Sequence, residues 1–239
     1  MVLLWQKLTS KRIQKTKLIY IFVLWTAFFA VLSTSLLLFF FTPKPIFTTF
    51  SLFFVLVFFV LVFFFKTKLD TLNLRQKYLK LKESKAKPIK VNKDFLEKLP
   101  LNLDKHNFKL QSSTLDFNLY LKQNEPNRGL EIVFTLKNPD LDFLNPLLDT
   151  EIKKAVTKFG QKRISYLTCL VFKACEAHTK DAELKADNVV FLKNKGFNFT
   201  SINITYFQNE QTLYFLHSDK YFPSVYFKQA SEFILTLTK

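Results

Sequence analysis

Residues 18–41, LIYIFVLWTAFFAVLSTSLLLFFF, and residues 46–65, IFTTFSLFFVLVFFVLVFFF, decide the architecture of this chain. The two runs are 24 and 20 residues long and hold no charged side chain. A hydrocarbon layer about 30 Å thick is crossed by about 20 helical residues, so each run is long enough to span it. A helix on the surface of a soluble domain keeps a polar stripe, and these runs have none. They also lack the alternation of membrane-barrel strands. The expectation is a membrane α-helical hairpin of two transmembrane helices, 18–41 and 46–65. Thr42-Pro43-Lys44-Pro45 forms the turn between them, its prolines keeping the helices from merging.

The flanks set the orientation. Lys11, Arg12, Lys15 and Lys17 precede the first run, Lys66, Lys68, Arg75 and Lys77 follow the second, and the turn carries one Lys. Basic residues stay on the cytosolic side, so both ends are expected in the cytosol of a multi-pass cell-membrane protein, with 1–17 as a basic cytosolic N-terminus. A cleaved signal peptide fits poorly, because its apolar stretch is shorter and Ser33-Thr34-Ser35 is a weak cleavage site. The hydroxyls of those three residues read as bonding their own helix. Neither run holds an ionisable residue, which argues against a proton relay, ion pathway or voltage sensor inside the hairpin.

Phe occurs 30 times and Gly 3 times in 239 residues, and Lys far outnumbers Arg. Residues with AT-rich codons dominate, a composition that resembles proteins of low-GC bacteria. The formal charge is +16. Residues 66–104 carry 11 basic and 5 acidic side chains, and residues 105–239 carry 18 and 14. The excess beside the membrane favours anionic headgroups over nucleic acid as the partner of the charge. Residues 66–104 read as a basic juxtamembrane helix and linker. Arg75, Lys77, Lys80, Lys82 and Lys85 are the candidates for lipid contact, Pro88 ends the helix, and 89–105 is a linker or the lead-in to the domain.

Residues 105–239 are expected to fold as a cytosolic α+β domain with a mainly antiparallel sheet. Thr114–Lys122 alternates, with Leu115, Phe117, Leu119 and Leu121 on one face. The turn 124–129 leads to a second strand with Leu130, Ile132, Phe134 and Leu136 inward, a hairpin with one wet face. Asn145-Pro146 opens a helix striped by Leu148, Ile152, Val156 and Phe159, and Gly160 closes it. Arg163–Lys173 reads as a buried strand and Glu176–Ala186 as a short helix. Asn188–Lys193, Phe197–Phe207 and Thr212–His217 read as strands, and Ser224–Leu237 as a closing helix. A slip in the alternation near Thr200 and Ser201 suggests a bulge.

Candidate chemistry is thin. Glycines at 129, 160 and 196 alone leave no phosphate-binding loop, and no serine-hydrolase elbow is present. Cys169, Cys175 and His178 form the only potential soft-metal set, but their spacing matches no zinc pattern, so no metal or other cofactor is expected. Asp140 and Asp142, between a strand and a helix, are the catalytic candidates, since paired acids could hold a divalent cation with phosphates. The same residues suit a plain turn. A restriction-nuclease-like set would use Asp116, Glu131 and a nearby Lys, but the wet face of the hairpin explains both acids better. Aromatics and lysines in the last strands occur on single-strand nucleic-acid platforms, and the modest charge of the domain disfavours that use. The expected function is a membrane-anchored protein-interaction module at the cytosolic face, its partner of unknown identity. The alternatives are a membrane-bound metal-dependent enzyme using Asp140 and Asp142, and an accessory subunit of a transport or secretion complex.

Overall fold

The computed structural model describes residues 10–41, 44–124, 128–160, 164–194 and 197–238. The chain divides into two compact units, Met1–Lys80 and Leu81–Lys239. The N-terminal unit holds helix α1, Ser10–Phe41, and most of helix α2, Lys44–Glu83. At about 1.5 Å per residue both exceed the thickness of a hydrocarbon layer, and two of their segments are long and apolar enough to cross one. Neither span is buried within the chain.

The two helices run antiparallel. Tyr20 meets Phe65 at 5.3 Å between ring centroids, Phe28 meets Phe58 at 5.9 Å, and Lys17 Nζ donates to Gln76 Oε1 at 2.8 Å. Thr34 bonds its own helix, donating to Ala30 O at 2.7 Å. The turn expected at 42–45 is shorter, because α2 already includes Lys44 and Pro45; Thr42 and Pro43 lie outside the described residues. Proline is tolerated there, since the first turn of a helix has no use for its missing N–H.

The C-terminal unit is an α/β domain whose mixed sheet runs β1-β8-β7-β5-β4-β3-β2, with β6 also on β7. Its strands are β1 (Ile89–Lys90), β2 (Lys109–Ser113), β3 (Phe117–Asn124), β4 (Gly129–Leu136), β5 (Tyr166–Cys175), β6 (Val190–Asn194), β7 (Phe197–Phe207) and β8 (Thr212–Tyr214). Its remaining helices are α3 (Phe95–Lys105), α4 (Pro146–Phe159), α5 (Lys180–Ala186) and α6 (Val225–Leu237). Of the two readings of 89–105, linker or lead-in to the domain, the second holds: the stretch contains β1 and α3 and is part of the C-terminal unit.

The expectation of a mainly antiparallel sheet is corrected here. The central strands β4, β5 and β7 are mutually parallel, and antiparallel pairs flank them. Parallel neighbours need a long crossover, which α4 supplies from β4 to β5 and α5 supplies from β5 toward β7. Strands covered on both faces read as unbroken apolar runs, and Tyr166–Phe172 is buried throughout.

One face of the sheet carries Phe117, Leu119, Leu121, Ile132, Phe134, Leu167 and Val171 beneath α4. Asn145 caps α4 by accepting from Leu147 N at 2.9 Å, and Gly160 closes it with φ 81°. The opposite face lies beneath α3 and α6, where Phe95 packs on Phe172 and Tyr206 at 6.3 and 5.9 Å. The hairpin β3–β4 therefore has no wet face, for Tyr120 and Val133 on its second side are buried. Leu115, expected inward, is 96% exposed because it precedes the strand. The bulge expected near Thr200 is absent: β5 pairs β7 without interruption from Tyr166↔Asn198 to Cys175↔Phe207. The slip in alternation marks the point where β7 becomes buried on both faces. A register shift occurs instead in β2, between Leu110 and Ser112.

Candidate functional site

In open α/β sheets ligands gather beyond the carboxyl ends of the parallel strands, so Asp140 and Asp142 stand in a favoured region. Their bonds there are those of a turn. The Asp140 N–H donates to Asn138 Oδ1 at 3.0 Å, and Asp142 Oδ1 accepts from Phe143 N at 2.7 Å. Asp142 Oδ2 lies 4.0 Å from Lys185 Nζ. Among the described residues no three His, Cys, Asp or Glu side chains are grouped so as to hold a metal ion.

Cys169 and Cys175 sit on one face of β5, six residues or about 20 Å apart, and do not converge. Burial pushes the Cys169 thiol up to about 12 and raises that of Cys175 too. His178 packs edge-on against Phe207 at 4.7 Å. Asp116 and Glu131 are separated as well. Asp116 Oδ1 accepts from Asn138 at the far end of β3, whereas Glu131 lies opposite Lys122, five pairs along the ladder.

Of the candidates for lipid contact, Arg75, Lys77 and Lys80 lie on α2 within the N-terminal unit. Lys82 and Lys85 belong to the domain and are engaged by it. Lys82 pairs with Asp187 at 3.3 Å, and Lys85 pairs with Glu183 while lying 4.5 Å from the centre of the Tyr214 ring. The bond from Lys85 holds the Glu183 carboxyl below its usual range.

Among the described residues the domain shows two concavities of note. The first, about 150 Å³, lies between α6 and the sheet, toward the amino ends of β4 and β5. Lys122, Glu131, Tyr166, Thr168 and Gln229 bring polar groups to it, and Phe108, Leu170 and Phe233 bring apolar surface. Lys122 Nζ stands 3.6 Å from Glu131 Oε2, and the Tyr166 hydroxyl donates to Glu131 Oε1 at 3.5 Å. Burial first, then the charge of Glu131, pushes the Tyr166 phenol up to about 12, so it stays a donor. The second concavity is an open apolar groove of about 490 Å³ between α4 and the β6–β7 end, lined by Ile152, Leu167, Leu192, Phe197 and Phe199, with Asp149 and Lys153 also lining it.

No family model, no curated protein and no solved structure matches this chain.

Sequence reasoning found neither concavity. Glu131 reads from the sequence as part of a wet face, yet its side chain is only 22% exposed and that of Lys122 beside it 28%. Gly129 marks a close approach beside the cavity wall. A Cβ at that position would overlap the Tyr166 ring, which stacks on Tyr226 at 4.7 Å. Gly129→Ala is therefore expected to destabilise the domain by about 1–3 kcal/mol through overpacking. A second change, Tyr166→Val, should recover most of that loss in thermal unfolding. A single variant as stable as the parent would show that the ring yields freely.

Proposed function

We propose that α1 and α2 anchor this protein in the cell membrane with both termini in the cytosol, and that the α/β domain docks a protein partner at the inner face. The length and apolar surface of the two helices and the basic flanks support the anchor. Arg75, Lys77 and Lys80 lie where anionic headgroups would meet them, whereas Lys82 and Lys85 are committed to Asp187 and Glu183.

The apolar groove carries the docking reading. It adjoins β6, which among the described residues pairs only with β7 and leaves its other edge open. Leu192, in the middle of β6, is 49% exposed and lines the groove with Phe197 and Phe199. An open strand edge beside an apolar pocket suits an extended segment that adds a strand, its main chain pairing with β6 and its apolar side chains filling the groove. The partner is therefore an extended peptide segment with alternating apolar residues.

A photo-crosslinking residue in place of Leu192 should give a discrete adduct in cells, and the same residue in place of Leu115, at the opposite end of the sheet, should give none. Phe199→Asp should remove the Leu192 adduct. Adducts of equal yield at both sites, or none at Leu192, would overturn this reading.

A further inference from the structure

The cavity beneath α6 holds an acid and a base that no catalytic or docking role uses. Its two charges stand close together but do not saturate one another, since at 3.6 Å the Lys122–Glu131 pair is longer than a good charged hydrogen bond. A third polar group is left over. Thr168 is 7% exposed, lines the cavity, and makes no hydrogen bond through its hydroxyl to any described residue. Lining the cavity without a partner among the described residues, that hydroxyl is available to a guest. The apolar part is equally defined: Phe108 and Phe233 stack at 5.3 Å and 22°, and Leu170 lies on the sheet side.

An anion alone would meet Lys122 but face Glu131, and a cation alone would face Lys122. A molecule with both charges on adjacent carbons meets both. A cavity near 150 Å³ holds about six to eight non-hydrogen atoms, judged by the benzene that fills an apolar cavity of that size. We propose that this cavity binds a small aliphatic α-amino acid as its free zwitterion. Its ammonium group meets Glu131, its carboxylate meets Lys122, the Thr168 hydroxyl bonds one of the two, and its side chain lies against Phe108 and Phe233.

The site stands on the face of the sheet opposite the docking groove and does not depend on it. The full chain in neutral detergent micelles, titrated calorimetrically with alanine, valine and leucine, should bind at least one of them saturably. N-acetylvaline and valinamide, each lacking one charge, should bind at least tenfold more weakly than valine. Glu131→Gln should weaken valine about tenfold and leave N-acetylvaline unchanged, and Lys122→Met should do the same for valine against valinamide. Ala230→Leu, which fills the cavity without touching the charges, should abolish binding while the domain unfolds at or above the parent temperature. Three outcomes would each overturn the assignment: no saturable heat with any of the three amino acids at millimolar concentration, capped analogues binding as well as valine, or a folded Ala230→Leu protein that binds like the parent.

Discussion

A cysteine introduced as Lys44→Cys is expected to react with a membrane-impermeant maleimide on intact cells, and one introduced as Lys87→Cys only after the membrane is permeabilised. The difference should be close to all-or-none, at least tenfold in labelled fraction. It follows from the proposed anchoring. Leu, Ile, Phe and Val each favour insertion by about 0.3–0.6 kcal/mol at the centre of a helix, and a lysine opposes it by about 2.5–3.5 kcal/mol. Runs of 24 and 20 residues without a charge favour insertion on this scale. Reversing the hairpin would send Lys11, Arg12, Lys15, Lys17, Lys66, Lys68, Arg75 and Lys77 outward to bring one lysine in.

The native cysteines keep the background low. A maleimide reacts with thiolate, and burial pushes the Cys169 thiol up to about 12 and raises the Cys175 thiol. Labelling at 87 but not 44 on intact cells would reverse the orientation. Labelling at both would mean that only one run crosses the membrane.

The helical hairpin could be read from residues because its signal is local: every turn of 18–41 and 46–65 is uncharged and most are apolar on all sides. The helix after Asn145 was legible for the same reason, since its cap, its stripe and Gly160 all act within a few residues. The direction of the sheet was not. Whether Arg163–Lys173 pairs parallel or antiparallel depends on which strand lies beside it, and the observed β5 lies between β4 and β7, 30 or more residues distant in sequence. The uninterrupted burial of Tyr166–Phe172 hinted at a covered, parallel strand, but a short apolar run fits a buried strand of either sense. The cavity was hidden for a related reason. Glu131 and Lys122 look like the outer face of a hairpin until α6, a hundred residues later, is laid across them, and no pattern in the strands announces the helix that covers them. Asp140 and Asp142 were placed correctly between a strand and a helix; their side chains spend themselves on turn geometry and on a 4.0 Å approach to Lys185.

Phe134→Ala is expected to be the most damaging single change in the domain, and Leu115→Ala one of the least. Phe134 is fully buried on β4, between β3 and β5, with its ring edge-on to Phe117 at 5.5 Å and 77°. Truncating a buried Phe costs about 3–5 kcal/mol, made up of lost transfer energy and the void that packed neighbours cannot close. The parallel pairing makes collapse harder here, since β4 is held on both edges and α4 lies across this face. For a domain of this size each kcal/mol lowers the midpoint by about 2–4 °C, so thermal unfolding followed by aromatic circular dichroism should fall by about 10 °C. Leu115 occupies the same alternating series in the sequence as Phe117, and a strand beginning at Thr114 would bury the two alike. In the structure Thr114 instead closes a turn onto Phe117, its N–H donating to Phe117 O at 2.9 Å, and Leu115 points outward. Its truncation should shift stability by less than about 0.5 kcal/mol. Equal losses at 115 and 134 would mean that β3 starts earlier and that the hairpin register is displaced. A large loss at 134 alone supports both the register and the central place of β4 in the mixed sheet.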